Sequence, residues 1–437
     1  MMMDKNSKTR VVLMIFTRYP VPGKAKTRLI PQLGAAAAAD LQKQMTEYTL
    51  AQALGTGCPV QICYTGGSVE QMRQWLGPQH IYVEQGEGDL GERLKAAFSQ
   101  AFARQADKVL VLGCDCPDNR TANIADAIRR LDTTSCVLGP AVDGGYYLLG
   151  LNRFNPDLFH DIDWGTASVL SQTLERVNDY QLLPVLADVD EVEDIPSKIS
   201  VIIPTLNEEV QIEGAVRRAL TGFGREVIVV DGGSSDATRE AASAAGARII
   251  CSRPGRATQM NAGAQQARGD ILLFLHADAR LPDAWDRQIR QVIRQPEVVL
   301  GYFPFAVDAD FTGRRWVEWG TNVRSRLFKR PYGDQGFFLR RQDFEAIGGF
   351  PEVPILEDLL LVKQARQRGG LACTGTPLTV SSRRWQKHGA FRTTGINQLI
   401  LFSAWCGADL DRLHRAYRQG GNPLRCLFEK RSTSSRR

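Results

Sequence analysis

Acidic residues recur along this chain where they could do chemistry. Asp231-Gly232-Gly233-Ser234-Ser235-Asp236 follows the apolar run Val227–Val230. An aspartate just past a strand can accept hydrogen bonds from a base or a ribose, and paired glycines let the main chain pass close to a ligand. Ser235 or Asp236 would equally serve as an N-cap for the next helix, so this loop alone reads both ways. Glu357-Asp358 could supply a carboxylate that takes a proton, or could be the acid-rich start of a helix. Nearer the N-terminus, Arg18-Tyr19-Pro20-Val21-Pro22-Gly23-Lys24-Ala25-Lys26-Thr27-Arg28 is a basic loop between a strand and a helix. Lys26 and Arg28 near a helix start could hold a diphosphate or triphosphate, with Arg18 and Gly23 in the same loop, although the spacing is not that of a P-loop. A solvated basic loop is the plainer alternative. Asp115 and Asp143, the latter followed by Gly144, could jointly hold a metal ion. Trp164-Gly165-Thr166 either touches substrate or caps a helix. Cys114 and Cys116 bracket Asp115, but no second Cys/His pair stands near them, which argues against zinc.

These residues need elements to position them. Apolar runs at Val11–Phe16, Val60–Tyr64, Val109–Leu112 and Cys136–Leu138 read as strands, as do Ile199–Ile203, Val227–Val230, Arg248–Cys251 and Ile271–Leu275. Helical patterns lie between them, including Gly34–Leu54, Leu90–Arg104, Glu208–Leu220 and Ala237–Ala245. Alternation of this kind predicts an α/β fold with largely parallel sheets covered by helices. In such sheets ligands bind beyond the carboxyl ends of the strands, which is where the polar residues above fall.

The halves share one order of signals. Each opens on a strand running into a Pro-containing loop, Phe16-Thr17-Arg18-Tyr19-Pro20 and then Ile203-Pro204-Thr205-Leu206-Asn207-Glu208. Each has a strand leading to an aspartate with Pro-Asp beyond it: Asp115 with Pro117-Asp118, and Asp278 with Pro282-Asp283. Each then has an acidic-glycine-aromatic segment, Asp143-Gly144-Gly145-Tyr146-Tyr147 and Asp334-Gln335-Gly336-Phe337-Phe338. Two tandem copies of one architecture follow, with a boundary near Asp188–Lys198, giving domains 1–195 and 196–437, the second ending in a helical tail.

The second half, from about Lys198 to Tyr417, resembles glycosyltransferase family 2. The carriers are Ile199 to Glu209, Val227 to Thr238, Arg256-Ala257-Thr258-Gln259-Met260-Asn261-Ala262-Gly263 and Gly269 to Asp278. The resemblance implies a GT-A-like, Rossmann-like nucleotide-diphospho-sugar transferase fold and an inverting transfer from a nucleotide-sugar donor. It implies donor contacts at Pro204, Asn207, Glu208, Asp231, Gly232, Ser235, Arg256, Gln259 and Asn261. His276-Ala277-Asp278 stands where the family carries its metal-binding Asp-x-Asp. Asp278 and His276 are therefore the expected ligands of a divalent ion, Mn²⁺ or Mg²⁺, with the histidine favouring Mn²⁺. Pro354 to Leu361 looks like the family's Glu-Asp motif, which makes Asp358 the expected base and Glu357 its neighbour. Ser382-Arg383-Arg384-Trp385 resembles the Arg-Trp element of many members, implying Arg384 on the diphosphate and Trp385 on a sugar or acceptor. The His-Ala-Asp form and Gly333-Asp334-Gln335-Gly336 narrow the likeness to a subgroup associated with radical-SAM and selenium-domain genes and linked to arsenosugar biosynthesis. Residues from about Arg10 to Asp188 resemble phospholactate guanylyltransferase-like and molybdenum-cofactor nucleotidyltransferases, also called radical-SAM-associated transferases. They imply the same fold and a nucleotidyl or glycosyl transfer.

The chain of 437 residues is 43% hydrophobic and 23% charged, a globular composition of two or three domains. Its net charge of +6 gathers partly in the tail from Glu429 to Arg437, and no interleaved basic and aromatic pattern points to nucleic acid. Nine scattered cysteines show no disulfide framework and suit a reducing compartment. Neither Val11–Phe16 nor Ile396–Cys406 is long and apolar enough to span a membrane, so a cytoplasmic protein is expected, with peripheral contact at the inner membrane face as the alternative. The acceptor is a small molecule or a lipid-linked one. The rival readings are a polyprenyl-phosphate glycosyltransferase at the membrane and a catalytically dead nucleotide-binding scaffold.

Overall fold

The structure is a computed structural model and describes residues 9–419. It divides into two compact units, Met1–Pro196 and Ser197–Arg437. The basic tail from residue 420 onward lies outside the described residues.

The first unit is built on β1 (Val11–Arg18), β2 (Val60–Thr65), β3 (Ile81–Glu84), β4 (Lys108–Leu112), β5 (Cys136–Pro140), β6 (Tyr146–Leu151) and β7 (Tyr180–Leu182). Their order across one seven-stranded sheet is β3-β2-β1-β4-β6-β5-β7. All pairs are parallel except those made by β6, which runs antiparallel to β4 and β5. Buried strands such as Leu13-Met14-Ile15 and Val109-Leu110-Val111-Leu112 read as unbroken apolar runs because helices cover both faces. Two of those helices start at capping boxes, Ser68 with Gln71 and Asp89 with Glu92, which satisfy otherwise orphaned main-chain donors.

The second unit uses β8 (Ile199–Thr205), β9 (Arg225–Asp231), β10 (Arg248–Cys251), β11 (Ile271–Phe274), β12 (Ala279–Arg280), β13 (Val298–Tyr302), β14 (Phe305–Val307), β15 (Phe337–Arg340), β16 (Gly370–Cys373) and β17 (Leu378–Val380). Its main sheet has the order β10-β9-β8-β11-β15-β13-β16, with β15 antiparallel to β11 and β13. This is the first unit's order strand for strand. A small sheet, β12-β17-β14, is added. Even a packing detail repeats. A Cβ at Gly139 on β5 would lie 2.4 Å from the Tyr147 ring, and one at Gly301 on β13 would lie 2.0 Å from the Phe338 ring. In both units a glycine makes room for the aromatic that opens the antiparallel strand.

The tandem α/β reading of the sequence thus describes the fold. The expected strands and helices appear within two residues of their ends. The apolar stretch Ile396–Cys406 falls in the helix Ala390–Trp405 and the residue after it. Among the described residues no helix is long and apolar enough to cross a membrane.

Candidate active site

In the second unit the chain reverses its direction of travel across the sheet between β8 and β11, and the site forms beyond those strand ends. β8 ends at Thr205 and delivers Asn207 and Glu208. Asn207 has a left-handed backbone (φ 57°), tolerable for asparagine. Its Oδ1 accepts from Ser235 N at 2.9 Å, and its own N–H donates to Ser234 Oγ at 2.9 Å. Asn207 and Ser235 therefore brace the two loops against each other. Asp231 at the end of β9 is 1% exposed and accepts from the N–H groups of Gly233 and Ser234 at 3.1 Å and from the Ser234 hydroxyl. Gly232 is constrained by a neighbour: a Cβ would stand 3.1 Å from the Gln259 amide, whereas Gly233 carries the positive φ of 98°.

Two expected donor contacts have other work. Gln259 is 5% exposed, and its Nε2 donates to Thr205 O and Val230 O, both at 2.8 Å. It ties the ends of β8 and β9 to the helix Arg256–Gln266. Asn261 pairs in both directions with the main chain of Phe350, at 2.8 and 2.9 Å. These amides bond to main-chain groups at positions where the sequence reading expected donor contacts. Trp385, expected on a sugar or acceptor, also packs against protein groups. It is half-buried, stacked near Phe311 (6.3 Å between centroids, planes 9° apart) and edge-on to Phe305 (5.8 Å). The Arg384 side chain lies outside the described residues. Its neighbour Arg383 reaches Glu208, with Nη2 to Oε2 at 3.4 Å.

Carboxylates converge beyond β11. Asp358 Oδ2 accepts from Gly333 N and Oδ1 from Leu359 N, both at 2.8 Å, so the main chain fixes its orientation. A Cβ at Gly333 would lie 3.4 Å from Asp358 Oδ2 and 3.5 Å from His276 Nε2, which places both beside this glycine. Glu357 is 5% exposed and faces Arg256, Oε1 to Nη1 at 3.6 Å. Burial raises its carboxyl above the usual range and the charge of Asp358 raises it further, against the pull of Arg256. Asp278 is raised by burial and by Asp308, opposed by Arg383 and Arg256. Glu208 is raised by burial and by Asp278. Burial holds the His276 imidazole down at about 3, and Arg256 adds to this, so the ring is neutral at physiological pH.

Sequence reasoning did not assign Asp334, and the structure puts it among these groups. Burial pushes its carboxyl up to about 6, with Asp358 and Asp278 raising it and Arg324 and Arg256 lowering it. Its Oδ1 is buried without a hydrogen-bond partner. Arg324 stacks over the Tyr332 ring, 3.2 Å from its centroid, on the same side of the site. The signal for Asp334 was present: it occupies the same place in the second repeat as Asp143 in the first.

In the first unit Asp143 groups with Asp188 and Asp190. Their carboxylate oxygens lie within 4.8 Å of one another, the one such set of three among the described residues. Asp115, expected to pair with Asp143, stands outside the trio and contributes its charge to Asp188. Asp188 and Asp190 had been read as boundary loop, yet main-chain pairing of Val189 N with Asp115 O (2.9 Å) folds that loop back onto the site. Asp188 is raised by burial and then by Asp143, Asp190 and Asp115. The basic loop meets the same segment: Lys26 Nζ donates to Val189 O at 2.7 Å, and Arg28 pairs with Asp190 at 2.8 Å. Both cations pair with this segment, Lys26 largely buried and Arg28 with its side chain 73% exposed. Arg18 donates to Lys24 O at 3.3 Å, and Gly23 has φ 83° with open space around it. Gly144 has φ 88°, and a Cβ there would sit 2.2 Å from Ala167 O, which fixes the Trp164–Thr166 turn against Asp143. Cys114 and Cys116 are buried free thiols, both raised by burial.

Comparison with known proteins falls along the same two units. Residues 200–349 match the model of glycosyl transferase family 2, and residues 49–166 match a family described as an uncharacterized protein conserved in bacteria, DUF2064. The undecaprenyl-phosphate 4-deoxy-4-formamido-L-arabinose transferase of Pseudomonas aeruginosa PAO1 is 30% identical over 159 residues, 32% of this chain and 46% of that protein. The chain thus spans about half the length of that curated relative. A solved Desulfovibrio desulfuricans G20 protein, provisionally assigned as a nucleotide-diphospho-sugar transferase, is 36% identical over 43% of this chain and 86% of its own, with a TM-score of 0.42. Glucosyl-3-phosphoglycerate synthase of Mycobacterium tuberculosis, solved with Mn²⁺, UDP and phosphoglyceric acid, is 21% identical over 42% of this chain and 69% of its own, with a TM-score of 0.32. The chain joins a region that matches DUF2064 to a region that matches glycosyl transferase family 2.

Proposed function

We propose that the second unit transfers a sugar, with inversion, from a nucleotide-diphosphate donor to an acceptor nucleophile, and that it does so in the cytoplasm or at its membrane face. The observation that carries this reading is Asp358, held by two main-chain N–H groups beside His276 at the sheet's ligand-binding end. An acceptor hydroxyl gives its proton to Asp358 as its oxygen bonds to the anomeric carbon. The bond from that carbon to the diphosphate oxygen breaks, and the nucleoside diphosphate leaves. Both Asp358 oxygens already accept one N–H each, which leaves lone pairs aimed outward for that proton. Arg256 and Arg383 stand where they can take up charge on the leaving diphosphate. Asp231, Asn207 and Ser235 shape the loop that would hold the nucleoside, and Glu208 meets Arg383 at its edge.

The donor set fits a divalent ion. Asp278, Asp334 and Glu208 all have carboxyls raised by burial, the charge of Asp278 raises the other two, and Asp334 keeps an unpartnered buried oxygen. Asp278 and the neutral His276 would hold the ion. Bound there, Mn²⁺ or Mg²⁺ would neutralise diphosphate charge.

For the first unit we propose a related nucleotidyl or glycosyl transfer centred on Asp143, Asp188 and Asp190, with Asp115 and the basic loop around them. The acceptor of the second unit is a small molecule or a lipid-linked one. Its chemistry is tested by Asp358→Asn, which keeps one of the two main-chain bonds through its amide oxygen and removes the base. Transfer should fall by roughly 10²- to 10⁴-fold, while nucleotide-sugar affinity by calorimetry stays within about twofold of the parent. Undiminished turnover would remove Asp358 as the base.

A further inference from the structure

The helix Arg314–Leu327 of the second unit is built inside out. Its inward face is largely polar, with Val317 the apolar residue it packs against the core. Asn322 pairs in both directions with the main chain of Phe305, at 2.8 and 2.9 Å. Glu318 accepts from Val307 N and from Arg314 Nε, each at 2.9 Å. Ser325 is fully buried and donates to Gln335 Oε1 at 2.6 Å. The outward face is apolar. Trp316, Trp319 and Leu327 are 70%, 62% and 73% exposed, and Val323 completes a stripe at helical spacing. Phe328, just past the helix, is 63% exposed and extends it. A soluble surface helix has the opposite polarity, so this stripe calls for an apolar partner.

Charge selects the partner. Arg315 and Arg326 are exposed along one edge of the stripe, and Lys329 and Arg330 are exposed at its end. The acids of this stretch, Asp310 and Glu318, are both paired with Arg314. The outward face is therefore net cationic around its aromatics, with the exposed Asp310 its nearby acid. A second copy would bring like charges together across the stripe. The chain's own residues beyond 419 are also basic, with Arg425, Lys430, Arg431, Arg436 and Arg437 against Glu429. Tryptophans beside arginines on a helix too short to span suit an interfacial position, the rings among headgroups and the cations against phosphates. An open groove of about 560 Å³ beside the helix, between Trp319, Arg315, Arg326 and Pro377, has room for such a headgroup.

We propose that this helix docks the protein on the surface of an anionic lipid bilayer. Docking is independent of sugar transfer, and the assay contains no donor. The full chain is mixed with vesicles of phosphatidylcholine alone or with phosphatidylglycerol, and bound protein is measured by flotation. Anionic vesicles should carry the protein and shift its tryptophan emission to the blue. Replacing Trp316→Ser and Trp319→Ser together should lower partitioning by roughly tenfold or more. Arg315→Gln with Arg326→Gln should lower it by a similar factor and weaken its salt dependence. All four side chains face solvent, and an unchanged circular dichroism spectrum verifies folding. No binding to anionic vesicles, equal binding of the tryptophan variant, or a concentration-dependent dimer that the tryptophan variant abolishes would each overturn the proposal.

Discussion

Asp334→Asn tests the electrostatics of the site without any substrate. The Asp334 carboxyl is held near 6, against an ordinary value of 3.8, first by burial and then by the charges of Asp358 and Asp278. A displacement of about two units is worth about 3 kcal/mol at most, since each unit is about 1.36 kcal/mol. The folded state binds the extra proton, so the native protein loses stability as pH rises from about 3.8 to about 6 and carries the full penalty above that. The asparagine has no charge to bury. In EDTA at pH 7.5 it should be more stable than the parent by about 1–3 kcal/mol, and near pH 4 the two should coincide. Urea unfolding of the full chain reads this through tryptophan fluorescence. Five of the seven tryptophans, Trp285, Trp316, Trp319, Trp385 and Trp405, lie in the second unit. The midpoint at pH 7.5 should rise by roughly 0.5–1 M urea. An equal change at both pH values would mean that Asp334 is not strained by its neighbours. Destabilisation at pH 7.5 would mean that its charge holds the site together, and the reasoning would fail.

Two more substitutions separate scaffold from ligand contact. Gln259→Ala strips two main-chain carbonyls of their donor and should cost about 2–4 kcal/mol of second-unit stability, while the folded fraction keeps its nucleotide-sugar affinity. A selective rise in KM with unchanged stability would return Gln259 to the donor site. Gly144→Ala forces a Cβ against Ala167 O in a left-handed backbone, and the first unit should lose about 2 kcal/mol or more in the same unfolding assay.

The fold was legible because buried parallel strands are continuous apolar runs, and such runs stand out at Val11–Phe16, Val109–Leu112 and Ile199–Ile203 without knowledge of their partners. The strand order was not legible; the repeat of signals said only that the two halves share one architecture. Asp278 past β11 and Asp358 at a helix start were singled out by type and place, and both charges act on Asp334. The site was harder to read where a polar residue of the right motif turns toward the main chain. Gln259 and Asn261 look like ligand amides in the sequence, but their donors and acceptors close gaps between segments 54 and 89 residues apart, and only the tertiary fold reveals that demand. The packing of Trp385 was hidden for the same reason, since nothing in Arg383-Arg384-Trp385 says that Phe305 and Phe311 will flank the ring. Asp188 and Asp190 were hidden by the acidic, Pro-containing loop around them, which has the composition of a linker.

The two units share a strand order and a functional address, but they fill it differently. Asp143 stands before β6 and Asp334 before β15, at equivalent points where the chain turns back into the antiparallel strand. In the first unit the companions of Asp143 come from a segment after β7, and Arg28 and Lys26 sit against that segment. In the second unit the companions of Asp334 come from the end of β11 and from the helix that opens with Glu357-Asp358. The first arrangement gathers three carboxylates closely enough to share one cation. The second spreads its carboxylates around Gly333, with Asp358 held by main-chain donors and Asp278 beside a neutral histidine. A base needs an oxygen free of metal, and a metal ligand needs the opposite. The wider spacing in the second unit lets both exist in one site, which is the physical reason to assign hydroxyl activation to the second unit and cation-centred phosphate chemistry to the first.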